Sequence, residues 1–197
     1  MVQPLGHVAV GLLFALPAWI LWDGRTSVAF IAFVLVTSRL PDIDLALQSL
    51  GLPVKHHGVT HTVVFVVGFA IVAGFLLTAV LSPLLRRWWQ TSEGEDVSRE
   101  TIYAFVIGGL TLGGLGHLLA DALASDWAEP IEPFWPIFET SFEIGVVSYD
   151  SMWANLGLLI VAVGLHLPLV ATDVFPLETR FREWTVELPD LQGNDGY

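Results

Sequence analysis

The chain has 197 residues, 54% of them hydrophobic, and a mean hydropathy of +0.66, with the apolar residues gathered in long blocks between short polar stretches. That pattern makes a bilayer, not water, its solvent. It contains no cysteine, which excludes disulfides, thiolate metal ligands and cysteine nucleophiles. Its 20 acidic residues against 8 basic ones give a net charge of −12, with Lys55 the only lysine, so it lacks the basic surface that nucleic-acid binding requires.

An acidic, lysine-poor composition of this kind resembles that of proteins from salt-loving organisms, where screening makes self-repulsion tolerable. Each apolar block must satisfy its own backbone hydrogen bonds in hydrocarbon, and none alternates as a barrel strand would. The expected fold class is therefore all-α, a polytopic membrane helix bundle of about five transmembrane helices forming one domain over 1–172, with an acidic polar tail over 173–197.

Five hydrophobic stretches follow one another at about 5–22, 26–40, 60–82, 101–124 and 153–172, against the roughly 20 residues needed to cross a ~30 Å core. The first has no Lys or Arg before it and no small-residue cleavage site, so it reads as a retained helix and not a signal peptide, and His7 stays in the protein. The second covers only about 22 Å as a helix, short of a full crossing. Between the third and fourth, 83–100 carries Arg86, Arg87, Glu93, Glu95, Asp96 and Arg99 and reads as a loop in water. Five crossings place Arg25, Arg86, Arg87, Arg99, Arg180 and Arg182 on one side and only Arg39 and Lys55 on the other. The positive-inside rule then puts the N-terminus outside.

Four polar groups interrupt the hydrophobic pattern: His7 at the start of the first stretch, Pro41-Asp42-Ile43-Asp44 after the second, His56-His57-Gly58-Val59-Thr60-His61 before the third, and Gly116-His117-Leu118-Leu119-Ala120-Asp121 near the end of the fourth. Under the five-helix topology all four fall on the same face, the extracytoplasmic one. His117 and Asp121, four apart, project from one side of a helix and can approach a single cation. Taken singly, each group has a plainer reading. The His-x3-Asp pair could be an interhelical hydrogen bond, His7 an interfacial residue, Asp42 and Asp44 the start of a short helix, and His56 and His57 solvated loop residues. Taken together they make a metal site of His7, Asp42, Asp44, His56, His61, His117 and Asp121 the expectation. His and carboxylate donors without thiolate suit zinc first, with manganese or iron possible.

The remaining features carry less chemistry. Gly108, Gly109, Gly113, Gly114 and Gly116 suit close helix packing better than phosphate binding. His166, just before Pro168, reads as a packing or hydrogen-bonding residue. Trp19, Trp22, Trp88, Trp89, Trp127, Trp135 and Trp153 lie near helix ends, where interfacial anchors belong. The stretch 126–136 reads as a lid or substrate wall, or as a plain interfacial loop.

On Gly6-His7, Pro41-Asp42-Ile43-Asp44, the His56 to His61 run, His117-x3-Asp121 and Phe134-Trp135-Pro136, taken in that order, the sequence resembles the YdjM-like family of predicted inner-membrane, metal-dependent hydrolases. Those segments cover about the first 136 residues. The family in turn looks distantly similar to the zinc-dependent phospholipase C and P1 nuclease group, a resemblance that implies an all-helical fold and phosphoester cleavage at clustered zinc ions. The resemblance carries the His-x3-Asp pair onto His117 and Asp121, an upstream Asp onto Asp42 or Asp44, a His onto His56 or His61, and an N-terminal His onto His7. No counterpart stands here for the further two His and carboxylate of the larger zinc cluster, and His57 occupies a position where an Arg is common.

The function expected is metal-dependent hydrolysis of a small-molecule or lipid-type ester at the membrane interface by metal-activated water. One of Asp42 and Asp44 would act as ligand and the other as general base, and Arg39 would hold an anionic substrate. A metal carrier or sensor without hydrolytic chemistry is the competing reading, and a structural protein with a hydrogen-bonded polar core is a third. The localisation expected is the inner, cytoplasmic membrane, with membrane lipids as neighbours.

Overall fold

A computed structural model describes residues 4–22, 24–88, 97–125, 130–148 and 150–171. The described chain is mostly helical, with two short strands: α1 (Pro4–Ala15), α2 (Ala18–Leu21), α3 (Gly24–Thr37), α4 (Ile43–Ser49), α5 (Val63–Trp88), α6 (Arg99–Leu123), β1 (Ala124–Ser125), β2 (Val147–Ser148) and α7 (Met152–Ala171). The 173–197 tail, the Glu93 to Asp96 part of the loop, Trp89, Trp127 and Glu129 lie outside the described residues.

The molecule is an all-α membrane bundle. Pro4–Leu21, Val63–Arg86, Arg99–Leu123 and Met152–Ala171 are long and apolar enough to cross a bilayer, whereas the second stretch forms the 14-residue α3. At 1.5 Å per residue α3 rises only about 21 Å. Its ends still alternate with those of its neighbours, because Asp42 just beyond it comes within 3.5 Å of His117. Pro4 suits a first turn that lacks N–H partners, and Pro17 separates α1 from α2. Ser98 caps α6 by accepting a hydrogen bond from Thr101 N at 3.1 Å.

The central element is α6, which packs against α1, α3 and α5, while α7 packs on α1. Lipid gives no hydrophobic drive for helices to associate, so close packing has to hold them together. Gly113 shows how. A Cβ there would meet Thr37 Oγ1 and would lie 2.8 Å from both Val34 O and Ser38 N, so only glycine lets the α3 and α6 backbones come this near. Thr37 Oγ1 uses the approach to donate to Gly109 O at 2.8 Å.

Beside this contact Trp22, Phe30, Val34, Ile102, Phe105 and Leu110 form the main apolar core, with the Phe30 and Phe105 rings edge to face at 5.1 Å. The tryptophan expectation is corrected here: Trp19 and Trp22 are buried within the bundle, not set out as interfacial anchors. Trp153, 82% exposed, does sit at the outside of a helix end.

Candidate metal centre

His7 stands in the first turn of α1, Asp42 and Asp44 at the start of α4, the three loop histidines on the chain leading into α5, and His117 and Asp121 one turn apart near the end of α6. Since α1 and α5 begin at the end where α3 and α6 finish, these residues gather at one end of the bundle.

Local backbone features aim each side chain. Asp42 occupies the N-cap of α4 but its side chain makes no capping hydrogen bond, and Asp44 in the first turn is buried. The plainer reading of that pair as helix starters therefore leaves both carboxylates unexplained. His57 is left-handed, with φ of 58°, a conformation that costs a non-glycine residue about 1–2 kcal/mol. The reversal brings the His57 ring to 4.1 Å from that of His56 and 4.8 Å from that of His61. Gly58 follows because a Cβ there would lie 2.8 Å from Lys55 O.

Four donor atoms form the heart of the site: Asp42 Oδ1, His61 Nε2, His117 Nε2 and Asp121 Oδ2. The two nitrogens are 3.3 Å apart. From His61 Nε2 the oxygens of Asp42 and Asp121 lie at 3.8 and 3.6 Å, and from His117 Nε2 they lie at 3.5 and 3.1 Å. Four donors set about 2.0–2.1 Å from one cation in a tetrahedron stand about 3.3–3.4 Å from one another, and each of these five separations from a ring nitrogen lies within about 0.5 Å of that value. The bonding state agrees. Asp42 Oδ1 and both oxygens of Asp121 are buried and accept no hydrogen bond, although ring nitrogens lie near. Left without a cation, such buried acceptors are costly.

The other histidines and Asp44 surround this set. His7 Nε2 lies 3.2 Å from Asp121 Oδ1, and His57 Nε2 lies 3.8 Å from Asp121 Oδ2. Asp44 faces the far side of the His61 ring, with Oδ2 3.3 Å from Nδ1, and the same oxygen accepts from Thr60 Oγ1 at 3.1 Å. Its Oδ1 is 3.2 Å from His56 Nδ1. A carboxylate at Nδ1 fixes the proton there and leaves Nε2 free to ligate. Burial, then the neighbouring His117 ring, pushes His61 below the ordinary histidine range. Burial alone would raise the Asp42 carboxyl, but its contact with His117 outweighs that and holds it below the ordinary range.

These buried His and Asp groups could hold a metal ion. Besides Asp42–His61–His117, the sets His7–His117–Asp121, His56–His57–His61 and Asp42–Asp44–His56 also bring their donors within 4.8 Å of one another. Every metal candidate read from the sequence lies in this one cluster. Arg39 is outside the cluster, its side chain 44% exposed and Nη1 3.9 Å from Asp42 Oδ2.

His57, part of the histidine run but open to a reading as a solvated loop residue, is buried, and Thr60 was not among the candidates. Only the left-handed backbone turns the first inward, and only the fold brings the second to Asp44. His166 is separate: Trp19 Nε1 donates to its Nδ1 at 2.6 Å and its Nε2 donates to Leu12 O at 3.0 Å. Both ring nitrogens are thus engaged. Of the 126–136 stretch, Ile131 packs against Val66, Leu118 and Ala122, and Pro133 O accepts from Val63 N at 2.8 Å, which seats this segment beside the start of α5.

The family model described as YdjM inner membrane protein matches residues 1–183. No curated protein and no solved structure matches the chain.

Proposed function

The chain belongs to the YdjM inner membrane protein family and is a multi-pass inner membrane protein, and from that premise we propose that its His–Asp centre is the active site of a metal-dependent hydrolase. The observation that carries this reading is the pair of ring nitrogens of His61 and His117, 3.3 Å apart and each 3.1 to 3.8 Å from an oxygen of Asp42 and of Asp121, with Asp42 partly exposed and Arg39 beside it. A buried structural site would need no such opening.

Asp42, His61, His117 and Asp121 would hold the cation, with zinc as the choice for a thiolate-free His and carboxylate set. When bound, the cation would supply charge stabilisation and acidify water to make hydroxide available at neutral pH. His7 and Asp44 position their partners, at Asp121 Oδ1 and His61 Nδ1 respectively. Of the two candidate bases, Asp44 is fully buried and faced by His56, Thr60 and His61. Asp42 is the carboxylate at the opening, its side chain 14% exposed, so it would take both roles expected of separate aspartates, Oδ1 toward the cation and Oδ2 toward the proton of the attacking water, and Asp44 neither. Arg39, beside that oxygen, is placed to hold an anionic substrate.

The expected distant resemblance of the family to the zinc-dependent phospholipase C group is the reason for preferring a phosphoester over other esters. A carrier would need polar groups leading inward, and His166, the nearest candidate, has both nitrogens engaged. The test is hydrolysis of a panel of phosphoesters, carboxylic esters and amides by zinc-loaded protein in lipid nanodiscs. Chelation should abolish the activity and zinc restore it. Stoichiometric metal with no cleavage, together with metal or proton movement across vesicles, would make the carrier the better reading.

A further inference from the structure

Between α3 and His56 the chain from 43 to 54 carries no charged residue except Asp44, whose side chain is turned into the metal centre. The rest of it exposes Ile43, Leu50 (77%), Leu52 (48%) and Val54. This is too much apolar surface to leave in water and too little helix to cross a bilayer. A short apolar segment of this kind belongs in the headgroup layer, lying in the membrane plane. Both of its ends are tied to the site, through Asp42 and Asp44 at one and His56 at the other. Beyond it begins α5, whose exposed Val64, Phe69 and Val72 form a lipid-facing side, so the apolar surface continues from the span onto the loop. Past Pro133, which binds Val63, Phe134, Ile137 and Phe138 are exposed as well.

Two cations bracket the segment. Arg39 precedes it with a half-exposed side chain, and Lys55 closes it, exposed, directly before His56. No other Lys or Arg of the chain belongs to these site-forming stretches.

From these observations we infer that the mouth of the metal centre lies within the lipid headgroup layer and binds a phosphate-bearing lipid headgroup, with Arg39 and Lys55 as its cationic contacts and 43–54 as the segment inserted beside it. The inference rests on the hydrolase reading for the role of the site, and it names the substrate class. Apolar side chains keep the mouth at headgroup depth. The two cations select an anionic headgroup over a zwitterionic one, since cationic side chains at a membrane surface favour anionic lipid. Binding of the acyl chains by the bilayer supplies positioning that a soluble phosphoester lacks.

The absence of native cysteine makes the depth measurable. A Leu52→Cys variant labelled with bimane, in phosphatidylcholine nanodiscs, should be quenched by brominated acyl chains, as should a Val72→Cys label. Aqueous iodide should quench it far less than a Ser92→Cys label. Quenching of Leu52→Cys by iodide as strong as at Ser92→Cys overturns the insertion.

Lipid selection is read by extracting lipid bound to the protein after equilibration with mixed vesicles of phosphatidic acid and phosphatidylcholine. Phosphatidic acid should be enriched several-fold, the Arg39→Gln/Lys55→Gln pair should return the bound lipid to the vesicle ratio, and Lys55→Arg should keep the enrichment. A wild-type ratio equal to that of the vesicles overturns the headgroup site. Turnover separates the two readings: phosphatidic acid should be cleaved about tenfold or more faster than glycerol phosphate. Equal rates would refute lipid selection while leaving the hydrolase reading in place. No cleavage of either, with quenching and enrichment as expected, would remove the hydrolase reading and leave the lipid site standing.

Discussion

Replacing Asp44 by Asn isolates the role of a carboxylate that sits behind a candidate ligand. Asp44 presents two oxygens to His56 Nδ1 at 3.2 Å, Thr60 Oγ1 at 3.1 Å and His61 Nδ1 at 3.3 Å. An amide has one acceptor oxygen and one donor nitrogen, so it cannot serve all three. If its NH2 faces His61, the ring proton is driven to Nε2, the atom 3.3 Å from His117 Nε2 at the heart of the donor set. If its oxygen faces His61, the geometry survives but the negative charge that makes the ring more basic is gone. In either orientation zinc should bind about 10–100-fold more weakly, the usual effect of losing such a partner. That is about 1.4–2.7 kcal/mol.

The metal-free protein should also lose about 1–3 kcal/mol of stability from the mismatched buried donor. Competition with a zinc-binding dye in detergent measures the first, and a denaturant titration after chelation measures the second. Affinity unchanged within about twofold would mean that Asp44 does not orient His61. A loss as deep as that of His117→Ala would mean that Asp44 is itself a ligand.

His117→Ala and Asp121→Ala should each empty the site, whereas His166→Ala should leave metal stoichiometry intact by elemental analysis and destabilise the protein by about 1–3 kcal/mol, because the Trp19 indole loses its acceptor. Gly113→Ala should cost about 1–3 kcal/mol by overpacking, since the added Cβ meets α3 backbone atoms that cannot swing aside, and a thermal melt in detergent would read it. For topology, cysteines at Gln3 and Ser92 should react with an impermeant thiol reagent from opposite sides of oriented vesicles, and labelling of both from one side would overturn the alternation of helix ends.

The all-α membrane fold was legible because hydrocarbon tolerates unpaired backbone groups nowhere, so long apolar blocks without strand alternation have one solution. The gathering of His7, Asp42, His61 and His117 was legible too, from the parity of helix ends alone. Parity holds even for α3, although that helix is too short to have been read securely as a crossing. Parity says which end a residue occupies and nothing about which neighbour it meets. The tryptophans show the limit: nearness to a helix end was right for Trp19, but its indole turns inward to His166, a partner 147 residues away.

Residue types and order thus determined the solvent, the helices and the membrane end that bears the chemistry, because hydropathy and helical spacing are local properties. Whether a given carboxylate faces His117 or the far side of the His61 ring depends on how separate helices pack. Asp42 and Asp44 are identical in type, two residues apart and equally acidic in sequence. The packing of α3 on α6, close because Gly113 has no side chain, carries Asp42 to His117, and the left-handed turn at His57 folds the histidine run over Asp44. Those two events are tertiary, and they alone separate the carboxylate at the opening from the one that holds His61.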